Sequence, residues 1–294
     1  MSTILITGCS TGIGFAAAEF LARSGHTVYA TMRNPQRSPE LAQLTKQNNL
    51  PITILPMDVD SDESVKSAVA EVVAQAGQVD VLVNNAGIGP TGAVEEVSMD
   101  VFQAVMQTNY FGTLRCIQAV LPGMRKRRSG CIITISSVAG KLYSPFHSAY
   151  CASKAAVEAL SESLAGEVGP LGIRVALIQP GVIDTPIIDK LEEVPAQTNY
   201  PNQARLLAYL KTSAGQHVPA SVVAEVIQDI LTGERSGFRN PTGADGPVLL
   251  GWRAALTDED WIASAGVDDE TWIAGMAQMG MDVRPQLAAF AVVK

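Results

Sequence analysis

The stretch AYCASK, residues 149–154, sets Tyr150, Cys151 and Lys154 within six positions. Each could carry chemistry, because a phenol or an amine exchanges protons and a thiolate attacks carbon. On a helix, Tyr150 and Lys154 are four apart and project from one face, whereas Cys151 points about 100° away from Tyr150. Tyr150 and Lys154 are therefore expected to share a site without Cys151. A free tyrosine titrates at about 10 and is a poor base at neutral pH; a nearby ammonium favours phenolate and brings the hydroxyl into range for proton exchange with an alcohol oxygen. A tyrosine and a lysine at helical spacing are otherwise an ordinary surface pair, so the reading depends on what other elements bring to them.

Those elements are legible as short apolar, β-branched runs at 3–7, 27–32, 52–57, 79–84, 131–136 and 174–179, with helical patterns between them at 13–23, 64–75, 99–124 and 152–168. Continuous apolar strands are buried on both faces, and regular alternation of strand and helix calls for crossovers onto a parallel sheet. The expected fold is α/β: a doubly wound parallel sheet of the Rossmann type over 1–237, with a short C-terminal extension, 238–294, packed on it. Open sheets of this kind bind ligands at the carboxyl ends of their strands. Ser137 closes the fifth run at that edge, and Ser136 should face the other way, since adjacent strand residues alternate.

The first run leads directly into TGCSTGIG, Thr7 to Gly14, at the mouth of the first helical pattern. Glycines there permit a tight turn and close approach of backbone to a pyrophosphate, and the free N–H groups and positive end of the helix attract its charge. Gly8, Ser10, Thr11, Gly12, Ile13 and Gly14 are the candidate contacts. A glycine-rich turn alone is weak testimony; the strand before it and the helix after it strengthen the cofactor reading.

Composition excludes several other classes. The chain has 294 residues, is 47% hydrophobic, and sets 21 basic against 29 acidic side chains for a formal charge of −8. Such a surface repels phosphate backbones and anionic lipid, so neither nucleic acid nor membrane is an expected partner. The basic run RKRR, Arg125 to Arg128, reads as a solvated helix end. Cys9, Cys116, Cys131 and Cys151 show no CxxC spacing and no clustering with the three histidines, so no metal site or disulfide framework is expected. No apolar run approaches the ~18 residues needed to cross a bilayer, and the first strand begins too early for a leader to precede it. A soluble, cytoplasmic protein is expected.

The glycine spacing is TGxxxGxG rather than GxGxxG. With it come NNAG (Asn84 to Gly87), Asn109, Ser137 in ISS, YxxxK at Tyr150 and Lys154, and PGVIDT (Pro180 to Thr185). This ordered set resembles the short-chain dehydrogenases/reductases over roughly residues 3–235. TGCSTGIG, VYATMR and YCASK look most like the branch with 17β-hydroxysteroid and retinol dehydrogenases. The resemblance implies reversible hydride transfer between a nicotinamide and a carbonyl or secondary alcohol, without metal. It implies that Ser137, thirteen residues before Tyr150, hydrogen-bonds the substrate oxygen. Tyr150 would deliver or remove the proton, Lys154 would also grip the nicotinamide ribose, and Asn109 would hold a water linking Lys154 to solvent. Asn85, Ala86 and Gly87 would flank the cofactor, Asp58 and Val59 would lie beside adenine, and Pro180, Gly181, Val182 and Thr185 would meet the carboxamide side. A homodimer or homotetramer is the expected assembly.

At the end of the second strand, where an NAD enzyme of this family carries an acid, Met32 stands with Arg33 next. No carboxylate competes with a 2′-phosphate there and a guanidinium is available, so NADP(H) is the expected cofactor, with NAD(H) as the other possibility. The substrate loop is expected at about 186–216, where Leu191, Val194, Tyr200, Leu206, Leu207, Tyr209 and Leu210 suit a bulky apolar substrate; Phe146 and His147 could line the same pocket. In the extension, DEDWIASAG and DETWIAGMA echo one another, and Gly266 is expected to split them into two helices. A non-catalytic NADP(H)-sensing protein of the same fold is the alternative, but it would have little need of all four of Asn109, Ser137, Tyr150 and Lys154.

Overall fold

The computed structural model describes residues 1–186, 198–200 and 202–290. Seven strands form one sheet: β1 (Thr3–Ile6), β2 (Thr27–Met32), β3 (Ile52–Pro56), β4 (Val81–Asn84), β5 (Gly130–Ile135), β6 (Ile173–Pro180) and β7 (Arg239–Thr242). Their order is β3-β2-β1-β4-β5-β6-β7, and every pair is parallel. The order reverses between β1 and β4, which opens a crevice at their carboxyl ends.

Apolar residues run without alternation because both faces of the sheet are covered. In β1, Ile4 and Ile6 pack with α1 (Gly12–Arg23) on one side, while Leu5 between them enters the core on the other, under α3 (Asp62–Ala76). Between those helices come α2 (Glu40–Asn48), and after them α4 (Met99–Met106), α5 (Gly112–Arg127) and α6 (Ser148–Val168). The pattern over 99–124 predicts one helix, but a π-helical turn at Gln107–Phe111 separates α4 from α5. Its extra residue per turn carries Asn109 inward, where it is 2% exposed.

After β6 come α7 (Gln203–Ala214) and α8 (Ser221–Thr232). β7 lies beyond residue 237, so the sheet takes in the start of the segment expected to lie outside it. Four helices follow: α9 (Gly246–Ala254), α10 (Asp258–Ser264), α11 (Asp269–Gln278) and α12 (Arg284–Phe290). The echo in the sequence is a repeated helix start. Thr257 caps α10 by accepting from the Asp260 N–H, Asp268 caps α11 by accepting from the Thr271 N–H, and acidic residues fill both first turns. Gly266 lies between the two helices. Among the described residues, no helix is long and apolar enough to cross a membrane, and no group of three or more His, Cys, Asp or Glu could hold a metal ion.

Candidate active site

α6 begins at Ser148, two residues before Tyr150. Phe146 takes a left-handed backbone, φ 64°, uncommon for a bulky residue, and His147 after it stacks on the Tyr150 ring at 4.6 Å between centroids and 18° between planes. One turn further along, the Lys154 Nζ lies 5.5 Å from the centre of the Tyr150 ring and donates to the Ile135 carbonyl at 2.8 Å. The end of β5 therefore anchors the lysine beside the tyrosine.

Ser137 accepts from the Ala139 N–H at 3.1 Å and its hydroxyl donates to the Pro180 carbonyl at 3.4 Å. It also hydrogen-bonds Tyr150. Ser136 turns away and donates to the buried Glu158 carboxylate at 3.1 Å. That carboxylate also accepts from Gln179 at 2.7 Å and pairs with Arg239, which fixes the edge of the sheet behind the site. Cys151 is buried, its thiol donates to the Leu142 carbonyl, and desolvation pushes it up to about 11.

The electrostatics differ from the simple expectation that Lys154 lowers Tyr150. Desolvation dominates both groups: it pushes the phenol up to about 12, opposed by the Ser137 hydroxyl, and pulls the ammonium down to about 8. Tyr150 is consequently a protonated donor at neutral pH. His147 is drawn down to about 4 by desolvation and is neutral there.

The crevice beside this group fits a dinucleotide. Thr11 makes no side-chain cap on α1 and no acid sits in its first turn, so that helix end is available to an anion. Gly8 and Gly12 adopt φ 72° and 61°, and a Cβ at Gly14 would lie 2.4 Å from the Gly8 carbonyl. Asn85 locks the turn by donating to the Thr7 and Gly8 carbonyls at 2.8 and 3.1 Å, while the Thr7 hydroxyl accepts from the Asn85 and Ala86 N–H groups. A Cβ at Gly87 would press on the Asn109 amide and one at Gly89 on the Tyr150 ring, so the β4 loop passes close to the reactive pair.

One cavity of about 1850 Å³ joins these parts. Its wall includes Gly8, Ser10, Thr11, Gly12, Ile13, Arg33, Asp58, Val59, Asn85, Ala86, Gly87, Ser137, Tyr150, Lys154, Pro180, Gly181, Val182 and Thr185. Gly14 stands behind the wall. The Asn109 amide accepts from the Ile88 N–H and donates to the Ile88 carbonyl and the Ser153 hydroxyl, each at 2.9 Å. With both N–H groups so engaged, the side chain clamps the β4 loop to α6.

The other half of the wall comes from the C-terminal extension. Val248, Leu249, Trp252, Trp261, Trp272, Met276 and Met279 from α9 to α11 and the turn after it line this half, facing Phe146, Leu206, Tyr209 and Leu210. Trp261 donates to the Tyr143 carbonyl at 3.2 Å and meets Trp252 edge to face. Of the substrate-loop residues expected at 186–216, Leu191 and Val194 lie outside the described residues.

A family model described as short chain dehydrogenase matches residues 2–195. The 3-ketodihydrosphingosine reductase of Bacteroides thetaiotaomicron is 43% identical over 63% of this chain and 65% of that relative's length. Retinol dehydrogenase 8 of Bos taurus is 36% identical over 86% of this chain and 85% of its own. A crystal structure of a short-chain dehydrogenase from Streptomyces avermitilis superposes with a TM-score of 0.75, covering 91% of this chain and 98% of that one at 34% identity. The fold, the glycine cradle and the serine, tyrosine and lysine at the end of β5 thus have one common explanation: the chain belongs to the short-chain dehydrogenase/reductase family of oxidoreductases, alongside its retinol dehydrogenases.

Proposed function

We propose that this protein transfers hydride between NADP(H) and the carbonyl or alcohol carbon of a bulky apolar compound. The observation that carries the substrate class is the cavity wall beside Tyr150, where three tryptophans, two methionines and several leucines converge from α7 and from α9 to α11 with the turn after it. Retinol and 3-ketodihydrosphingosine, named for two relatives, each join an alcohol or a ketone to a long apolar chain, in keeping with that wall. The preference for NADP(H) rests on Arg33, exposed on the cavity wall directly after β2, with no acid beside it in the sequence.

Bound nicotinamide would supply or accept the hydride. The residues present do the rest. Ser137 and Tyr150 offer hydroxyls to the substrate oxygen; the protonated phenol gives its proton in reduction and retrieves it in oxidation. Lys154, mostly charged at neutral pH with its pKa near 8, can hold ribose hydroxyls and stabilise the phenolate as it forms. The apolar wall excludes water and strengthens these interactions.

A screen of steroid, retinoid, quinone and short aliphatic carbonyls, followed by NADPH oxidation, tests the proposal. Turnover of bulky apolar members over short aliphatic ones is expected. A preference for short aliphatic substrates, or no oxidation with any, would reject it.

A further inference from the structure

His147 puts two unused ring nitrogens beside the reacting phenol. It lines the cavity, is partly exposed there, and stacks on the Tyr150 ring with 4.6 Å between centroids. It stands just before the first residue of α6, yet its side chain caps no backbone N–H of that helix. Neither nitrogen has a hydrogen-bond partner among the described residues. Unlike the His26 Nδ1, which is buried without a partner, neither is shut away from the cavity.

Desolvation holds the imidazole down at about 4, so at neutral pH it is uncharged and carries one N–H donor and one acceptor. A phenyl ring would stack on Tyr150 as well, and at less cost once an apolar substrate displaces water. What the imidazole adds is its nitrogens. Phe146 turns the chain through φ 64° immediately before it, a costly backbone of the kind retained where a side chain must be aimed. The 18° between planes lays imidazole and phenol nearly parallel. A substrate whose carbonyl oxygen meets the Tyr150 hydroxyl therefore passes the imidazole within about one further carbon.

We infer that His147 is a second substrate-binding residue, which hydrogen-bonds an oxygen on the carbon next to the one that reacts. The substrate class narrows to α-hydroxy ketones and the vicinal diols they form, each joined to an apolar body. Hydride from NADPH goes to the carbonyl carbon and the Tyr150 proton to its oxygen, giving the diol and NADP⁺; a proton from solvent restores the phenol. His147 binds and transfers no proton. This rests on the reading that an apolar carbonyl or alcohol compound fills the cavity.

Three ketones of one chain length test it: a straight-chain methyl ketone, the same ketone hydroxylated next to the carbonyl, and its isomer hydroxylated at the far end. The ratio of kcat/KM for the adjacent hydroxyketone over the plain ketone should fall by on the order of tenfold from wild type to His147→Phe, about 1.4 kcal/mol. The intrinsic reactivities of the ketones cancel in that comparison, and the phenyl ring keeps the stack on Tyr150. His147→Gln, whose amide retains a donor and an acceptor, should recover part of the ratio. His147→Leu repeats the test should the phenyl variant not fold. The remote isomer should show no such fall. An unchanged ratio, or an equal fall for the remote isomer, overturns the inference. Binding of the same ketones, read by tryptophan fluorescence, separates the two readings. If none is reduced yet the adjacent hydroxyketone binds more tightly to wild type than to His147→Phe, the proposed activity fails and the His147 subsite stands; equal binding would end both.

Discussion

Asp245 holds the main-chain N–H of Val182 between its two carboxylate oxygens, at 3.1 and 3.2 Å. The same carboxylate accepts from the hydroxyls of Tyr209 and Ser213 on α7, each at 3.1 Å. One side chain at the start of α9 thereby ties the Pro180–Thr185 loop to a helix of the apolar wall. Gly181 is the residue that allows it, because a Cβ there would lie 1.8 Å from Asp245 Oδ1. Burial and the carboxylate hold the Tyr209 phenol well above its ordinary range, so it remains a donor.

Removing that carboxylate leaves three donors unmatched. At about 1–3 kcal/mol for each buried group left unpaired, discounted where water can enter, Asp245→Ala should lower Tm by several degrees and weaken NADPH binding. Asp245→Asn should do the same to a lesser degree, since its amide can accept from one partner but presents a donor toward another. Calorimetry and a cofactor titration check both, and wild-type values in Asp245→Ala would show that the tie has no energetic role.

Tyr150→Phe should lose on the order of 10²–10⁴-fold in turnover, the usual contribution of a positioned acid or base, while cofactor affinity changes little. Cys151→Ala should retain most activity, because the thiol is uncharged near neutral pH and is engaged with Leu142. Steady-state kinetics on the two variants decide between the side chains; an active phenylalanine variant or an inactive alanine variant would reverse the assignment.

His147 predicts a pH dependence with a definite sign. Its pKa lies at about 4 in the folded chain, against the 6.5 of an unperturbed histidine, so between those values the unfolded chain binds the extra proton. Stability should therefore fall as pH drops from 6.5 toward 4 and be independent of this group above that window. His147→Phe, which preserves a ring against Tyr150, should remove this part of the acid destabilisation. Urea denaturation at several pH values measures it, and identical pH profiles for the two proteins would contradict the assignment.

Arg33 should set cofactor choice. Pairing of a guanidinium with a phosphate, discounted for an exposed site, leads us to expect NADPH over NADH by on the order of 10- to 100-fold in kcat/KM, equal to about 1.4–2.8 kcal/mol. The preference should shrink with added salt and in Arg33→Ala. Met32→Asp should move it toward NADH by repelling the 2′-phosphate. A wild-type enzyme that favours NADH would refute the assignment and leave the Tyr150 chemistry intact.

Much of this molecule is local, and local features are legible in a sequence. The placement of Tyr150 and Lys154 on one helix face needs only a helical pitch. Continuous apolar runs needed only the rule for sheets covered on both faces, and all six anticipated strands lie within a residue or two of β1 to β6. β7 was harder to see because RNPT, its sequence, is short and has no apolar run.

The amino-acid sequence by itself determined the doubly wound sheet, the glycine turn at the mouth of α1, and the order in which serine, tyrosine and lysine arrive at the end of β5. Tertiary structure alone decided what surrounds them. Asp245 meets Tyr209 across 36 residues and Val182 across 63, and Arg205 meets Asp269 across 64, with no periodicity to announce any of these contacts. The direction of the Tyr150 and Lys154 shifts was equally hidden. Spacing shows that a phenol and an ammonium are neighbours, but desolvation depends on which distant segments close over them, and here that closure outweighs their mutual attraction.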